Sequence, residues 1–284
     1  MNNDELKRNG WLAQKQKGKY VLRIHVTGGH FTGEQLRAVA DVAREYGHDY
    51  VHFTSRQSLE LPWIDREDLE TVQKTLELQG VEPSAIGPRV RTITACQGNA
   101  TCNSAAIDTY ALACELDDLY FGKDLPSKFK IGITGCRNNC LKTEENDLGI
   151  KGVERVSWNE ENCVSCGICV KACRSGAITM RLGTVRIDPD VCIRCGRCAH
   201  ACPVGAISGT PGYLVTFCGS FGNHFHMGEP VVPVIEDHDT LLRVCDAAIR
   251  FFAEHARPKD RLYTTVERVG NEEFETCIRE AYEG

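Results

Sequence analysis

Residues 163–180 read CVSCGICVKACRSGAITM, and residues 192–209 read CIRCGRCAHACPVGAISG. The two stretches align residue for residue at an offset of 29, so 158–208 is a short, Cys-rich, internally duplicated module. Its flanks have a different texture. YVLRIHV (20–26) reads as a strand from its β-branched content. Thr32 and Gln35 have capping-box spacing, and Leu36, Val39, Ala40 and Ala43 give the following helix an apolar face that ends near Gly47. Strands are expected at 50–54 (YVHFT) and 58–61 (SLEL), then a helix after Asp65 bearing Leu69, Val72 and Leu76. This β-α-β-β-α unit makes residues 20–85 an α+β half-domain behind a polar tail at 1–19. A Pro- and Arg-containing connection covers 81–95. Residues 104–120 read as a helix, and KFKIGIT (128–134) as a strand running into Cys136. The module at 158–208 thus interrupts a host domain, 86–157 and 209–235, which resumes with the strand GYLVTFCGS. Two helices, roughly 238–256 and 265–282, fill 236–284.

Sixteen cysteines are the compositional anomaly. A net charge of −6 provides no basic field for nucleic acid. The first twenty residues have no apolar core of a signal peptide, and no apolar run of about 18 residues predicts a membrane span. CxxC ladders in a leaderless chain of this length point to metal and a reducing compartment, the cytoplasm.

Each repeat has the spacing C-x2-C-x2-C-x3-C of bacterial two-cluster ferredoxins, whose fourth cysteine serves the other cluster. The pattern assigns one [4Fe-4S] cluster to Cys163, Cys166, Cys169 and Cys202, and another to Cys192, Cys195, Cys198 and Cys173. Three closely spaced thiolates wrap one face of a cubane, and backbone N–H groups of the tight loop can donate to its sulfurs. Pro203 follows the last cysteine as the pattern expects, whereas Arg174 replaces it in the first run. Disulfides and structural zinc are the competing readings, but zinc usually takes two CxxC pairs at wider separation.

A second constellation precedes the module. Cys96 and Cys102 stand in TACQGNATCNSA, and Cys136 and Cys140 in GCRNNC. Four thiolates in two pairs can hold one more [4Fe-4S] cluster. C-x5-C followed by G-C-x-N-x-C, with LPSKFKIGITGC (125–136) leading into it, resembles the signature of siroheme sulfite and nitrite reductases. The resemblance covers most of the chain. In size and order it is nearest the C subunit of anaerobic sulfite reductases and small dissimilatory-type enzymes. It implies an α+β fold: a ferredoxin-like half-domain, a siroheme/[4Fe-4S] domain and an inserted two-cluster ferredoxin domain. It also implies three [4Fe-4S] clusters and a siroheme, with Cys140 bridging cluster and haem iron.

The resemblance further carries substrate-binding cations onto Arg56, Lys128 and Lys130, and less closely onto Arg91. Fixed cationic donors suit an oxyanion and the haem carboxylates. Without that family pattern, an arginine after a strand and two lysines sharing one strand face would read as solvated surface. Where the family has an arginine-bearing glycine loop, this chain has GSFGNHFHMG (219–228). Either His226 takes an arginine's role there or the loop faces solvent. Asn138, Asn139 and Asp147 line the haem or cap turns. Cys114, Cys218, Cys245 and Cys277 read as core residues.

The implied activity is six-electron reduction of sulfite to sulfide. Nitrite reduction of the same type and a non-catalytic electron-transfer subunit are the alternatives. No nucleotide-binding glycine motif is present, so electrons would come from a ferredoxin or from flavin or iron–sulfur subunits. The family's assimilatory enzymes carry this half-unit twice, and here it occurs once. A homo- or hetero-oligomer sharing its site between chains is therefore expected.

Overall fold

The computed structural model describes residues 3–284. The first layer is a four-stranded antiparallel sheet in the order β1-β2-β4-β3. Its strands are β1 (Trp11–Ala13), β2 (Lys19–Ile24), β3 (His52–Phe53) and β4 (Leu59–Asp65). In β2 burial alternates: Tyr20, Leu22 and Ile24 face inward, Lys19, Val21 and Arg23 outward. Helices α2 (Gly33–Tyr46) and α3 (Leu69–Glu77) cover the inner face through Val39, Val42, Leu69, Val72 and Leu76. The Thr32/Gln35 capping box forms as expected.

The N-terminal segment departs from the expected polar tail. Helix α1 (Asn3–Arg8) and β1 pack onto the sheet, with Leu6 and Trp11 buried. The Trp11 indole N–H donates to Gln73 Oε1 at 3.1 Å. One tryptophan among charged residues has no periodicity to announce it, yet burying so large a ring is worth several kcal/mol.

The second sheet runs β10-β7-β6-β5. Strands β5 (Thr94–Ala95) and β6 (Ile131–Thr134) are parallel, as are β6 and β7 (Leu148–Trp158). The sheet packs against α4 (Thr109–Tyr120) and α7 (His238–His255) around Phe129, Ile131, Ile150, Leu116 and Phe252. Helix α4 begins five residues later than expected, because the Asp108 carboxylate caps the N–H groups of Tyr110 and Ala111. Three terminal helices form rather than two. Gly270, at φ 131°, separates α8 (Leu262–Val269) from α9 (Asn271–Glu283). Of the four cysteines read as core, Cys245 is fully buried, whereas Cys114, Cys218 and Cys277 are partly exposed.

Strand β7 pairs with β10 (Ile207–Phe217) along its whole length, from Leu148↔Phe217 to Trp158↔Ile207. Everything between those partners, residues 159–206, is carried at the tip of the ribbon. It contains α5 (Ile168–Ala172), the hairpin β8–β9 (Ile178–Arg181, Thr184–Ile187) and α6 (Arg197–His200). It has its own small core of Ile178, Val185, Ile207, Cys169 and Cys198. Among the described residues no helix is long and apolar enough to cross a membrane.

Since Trp158 and Ile207 are direct cross-strand partners, the lobe should be dispensable for folding. Replacing 159–206 by an Asn-Gly turn should leave a cooperatively unfolding chain, read by circular dichroism during denaturation.

Candidate functional site

The parallel pair β5/β6 organises the chemistry. Each strand leaves its C-terminal end directly into a cysteine loop: Ala95 into Cys96, Thr134 through Gly135 into Cys136. A Cβ on Gly135 would lie 2.7 Å from the Ala105 Cβ, so only glycine lets the two loops pack together. The Gly135 N–H donates to Cys96 Sγ at 3.1 Å. Burial pushes the Cys136 thiol up, and Cys102, Cys140 and Cys96 add to the shift, which places those three sulfurs within electrostatic reach of Cys136. Cys102 and Cys140 are exposed.

The cations gather at the opposite, N-terminal end. Lys128–Lys130 runs beside Arg89–Arg91, with Arg91 N–H donating to the Phe129 carbonyl at 2.9 Å. Strand β6 itself starts only at Ile131, but the alternation holds: Phe129 is fully buried, Lys128 is exposed and Lys130 is half-buried. Arg56 arrives from the half-domain on the turn between β3 and β4. Gln57 fastens that turn: its amide donates to the Ala95 carbonyl and accepts from the Ala95 N–H, each at 2.9 Å. Arg56 then donates to Asn146 Oδ1 (3.1 Å) and to the Thr92 carbonyl (2.7 Å).

Arg56, Arg91, Lys128 and Lys130 thus come together, and two arginines that no sequence pattern singles out join them. Arg23 lines the same cavity of about 190 Å³ as Arg56, Arg91, Ser84 and Thr92. Strand alternation places Arg23 on the outward face but says nothing of a cavity. Arg261 comes from the connection before α8, where no pattern marks it. It is bidentate on Asp147 at 3.2 and 2.6 Å. Asp147 is fully buried and also accepts the N–H groups of Lys130 (2.8 Å) and Leu262 (3.3 Å). It is therefore the anchor of this end of the sheet rather than a turn cap or haem-lining residue.

Excess positive charge leaves its mark on these groups. Burial lowers Arg56 to about 10, against the pull of Asp147 and with the push of Arg91 and Arg261. Arg91 falls to about 10 by burial and its arginine neighbours. Burial, Arg56 and Arg261 bring Lys130 down to about 8. Lys128 is lowered by burial, Arg261 and Arg91. The buried Nε atoms of Arg56 and Arg91 have no hydrogen-bond partner. A cavity with surplus cations and two orphaned donors suits an oxyanion.

In the lobe, Cys163, Cys166, Cys169 and Cys202 line a single small cavity, the grouping expected from the spacing. Cys198 is pushed up to about 11 by burial, with Cys192 and Cys195 adding to it. The two fourth cysteines behave alike. Backbone N–H groups, that of Ile207 foremost, hold Cys202 below the usual thiol value. At Cys173 burial opposes, but the Ser175 hydroxyl and backbone N–H groups of Ala177 and Ile178 overcome it. Such donors stabilise thiolate sulfur, the form that ligates iron. Among the described residues no three His, Cys, Asp or Glu side chains converge to hold a single metal ion. The second repeat faces the host domain: Cys195, Arg197 and His200 share a cavity of about 390 Å³ with Cys136, Arg137 and Asn138. Glu154 pins this contact, its carboxylate 2.6 Å from His200 Nε2.

One expected cofactor contact, Asn139, is occupied otherwise. The Asn139 amide donates to Glu144 Oε2 (2.6 Å) and accepts from the Thr143 N–H (3.0 Å), so it shapes the turn after Cys140. Asn138 is exposed beside the cysteine loop. His226 sits in a loop closed by Ser220↔His226 pairing and stacks on Tyr263 of α8, ring centroids 5.1 Å apart. It lines a separate cavity with Cys218, Tyr263 and Glu267. Glycine in that loop has a packing reason: Gly228 N–H donates to the Glu144 carbonyl at 2.9 Å, beneath which Gly219 leaves no room for a side chain.

Comparison with known proteins agrees with this geometry. The nitrite and sulphite reductase 4Fe-4S domain matches residues 86–284, and the nitrite/sulfite reductase ferredoxin-like half domain matches 12–79. A coenzyme F420-dependent sulfite reductase of Methanocaldococcus jannaschii is 35% identical over 95% of this chain and 44% of its own length. The C subunit of the anaerobic sulfite reductase of Salmonella typhimurium is 33% identical over 60% of this chain and 54% of its own. The chain therefore spans about half the length of these curated relatives. The crystal structure of dissimilatory sulfite reductase I superposes with a TM-score of 0.73 at 21% identity, over 92% of this chain and 69% of that one, which shows the shared fold.

The Lys130 ammonium, protonated below about 8, should make anion binding weaken as pH rises through that value. Titration with nitrite, whose charge stays constant there, should show this inflection. Lys130→Met should bind roughly tenfold or more weakly at neutral pH and lose the inflection.

Proposed function

Because the chain belongs to the nitrite and sulphite reductase family, with the siroheme and [4Fe-4S] cluster that membership implies, we propose that it is the catalytic chain of a sulfite reductase. The reaction would be six-electron reduction of sulfite to sulfide. The cavity of Arg23, Arg56 and Arg91, with Lys130 and Arg261 in electrostatic reach of Arg56, carries this reading. Siroheme, when bound, supplies an electron-rich iron for the substrate. The thiol chemistry of Cys96, Cys102, Cys136 and Cys140 fits one [4Fe-4S] cluster, and Cys140 would link that cluster to the haem. The two lobe sets fit two more.

In this reading the chain's cations do the binding and polarising. Arg56 and Arg91, which line the cavity, neutralise the oxyanion. Lys130, with its value near 8, can hold or release a proton at Nζ near neutral pH. Lys128 and Arg261 add charge at the rim. Electrons from an external low-potential donor, a ferredoxin or a flavin or iron–sulfur subunit, would enter the lobe. The shared cavity of Cys195 and Cys136 favours the Cys192/Cys195/Cys198/Cys173 set as the one next to the host domain.

Lys130 and Cys136 flank strand β6, six residues apart, at most roughly 20 Å of extended chain. Cations and thiols of one chain thus lie at opposite ends of the sheet. This favours a site completed between two chains, with the cation end of one meeting the cysteine end of another, in a homodimer or with a paralogous chain. Nitrite is the second reading, since the matching domain family spans both anions.

The first test is the absorption spectrum of anaerobically purified protein with acid–acetone extraction of pigment. Siroheme bands and about twelve cluster irons are expected, with kcat/KM for sulfite above that for nitrite. Clusters without an extractable tetrapyrrole would leave only an electron carrier. A shared site also predicts complementation: Lys130→Met and Cys140→Ser should each be inactive, and co-assembly should restore part of the activity. Full activity of a monomer in analytical ultracentrifugation would exclude sharing.

A further inference from the structure

The cation cavity has a back wall that substrate binding alone does not explain. Two of its lining hydroxyls, Ser84 and Thr92, are buried and 3.0 Å apart. Thr92 Oγ1 lies 3.3 Å from His25 Nδ1. His25 Nε2 lies 2.7 Å from Asp117 Oδ2, which also accepts the Thr27 hydroxyl at 2.9 Å. The other Asp117 oxygen is buried without a partner. The imidazole is stacked on Phe121 with centroids 3.6 Å apart, so it is held in plane. The side chains of His25 and Asp117 keep 9% and 12% of their surface exposed. The four groups thus form one hydrogen-bonded line from the surface to the cavity.

We propose that Asp117–His25–Thr92–Ser84 is a proton relay feeding the oxyanion cavity. The direction is consistent along its length. In its proton-loaded form His25 donates Nε2–H to Asp117 and Nδ1–H to Thr92 Oγ1, Thr92 donates to Ser84 Oγ, and the Ser84 hydroxyl proton is left for the cavity. Ser84 can then pass its proton into the cavity and be refilled from behind. A brace between half-domain and α4 would need only the His25–Asp117 pair. Two further hydroxyls in line, both opening on the arginines, have no such use.

The relay rests on the sulfite reductase reading, which creates a need for it. The sulfite dianion takes six electrons from the external donor and eight protons to give hydrogen sulfide and three waters; each departing oxygen carries off two protons, and sulfur keeps two. The arginines of the cavity, with values about 10, hold their protons. Lys130 can donate but must be reprotonated each time. His25 acts through Thr92 and does not itself touch substrate.

The holoenzyme tests this with His25→Gln and Thr92→Val. Both should lower kcat about tenfold to a hundredfold with sulfite KM, the sulfite dissociation constant and Tm little changed, and both should enlarge the solvent deuterium isotope effect on kcat. Imidazole should partly rescue His25→Gln. A readout without turnover accompanies these. Infrared difference spectra of sulfite binding to the oxidised full chain, labelled with 15N-histidine, should show a shifted imidazole band that Thr92→Val abolishes. Unchanged kcat in Thr92→Val, or no imidazole band on binding, overturns the relay. Loss of kcat only in step with Tm or sulfite affinity overturns it too, as a structural effect. A wild-type chain that binds sulfite but reduces neither sulfite nor nitrite sinks the function instead, and the infrared result still decides whether His25 is wired to the cavity.

Discussion

One buried carboxylate holds the cation end of the molecule together. Asp147 has no exposed surface, and its two oxygens accept from Arg261, from the N–H of Lys130 at the start of β6 and from the N–H of Leu262 at the start of α8. A sheet strand, a terminal helix and an arginine from a remote connection are therefore fixed by one group. Breaking a buried ion pair of this kind typically costs about 3–5 kcal/mol, because the remaining charge is left without a partner. It is also the one carboxylate whose charge raises the values of Arg56, Lys128 and Lys130, each of which burial lowers. The cluster keeps a positive surplus only because Asp147 offsets part of the repulsion and the rest is left for an anion.

The half-domain contributes to the site in the same economical way. Beside the His25 and Thr27 contacts to α4, it reaches the host domain through the turn between β3 and β4, where Gln57 continues the backbone pairing of β5 and Arg56 reaches Thr92 and Asn146. On the opposite side of the strands the cysteine loops are drawn together by close backbone approach at Gly135. The parallel pair β5/β6 thus separates two chemistries that a single active centre needs side by side. Strand length sets that separation, and strand length is not adjustable by rotating side chains.

Some of this is legible along the chain. The capping box at Thr32, the apolar faces of α2 and α3, and the module bounded by 158 and 208 follow from local periodicity and duplication, and the ribbon β7–β10 closes within a residue of those limits. The grouping of Cys163, Cys166 and Cys169 with distant Cys202 can be read because ligand spacing repeats a geometric requirement. Arg261 cannot: it lies 114 residues from Asp147 in sequence, in a connection with no pattern of its own. Trp11 is hidden for a related reason, since a three-residue edge strand is too short to display a period. Asn139 is a plausible cofactor contact by position, yet the turn after Cys140 has already taken its polar groups.

What the sequence by itself determined is the inventory and its local order. The twelve spaced cysteines, the basic residues placed just ahead of two short strands, and the α+β alternation are consequences of chemistry that acts over a few residues. What only the tertiary structure decided is which of those groups share a volume. Burial beside Arg56 and Arg261 makes Lys130 a group that titrates near 8 instead of a surface lysine, and close packing joins Asp117, His25 and the Ser84/Thr92 pair from three separate segments. Desolvation and charge proximity depend on distances between remote segments, and those distances exist only once the chain has packed.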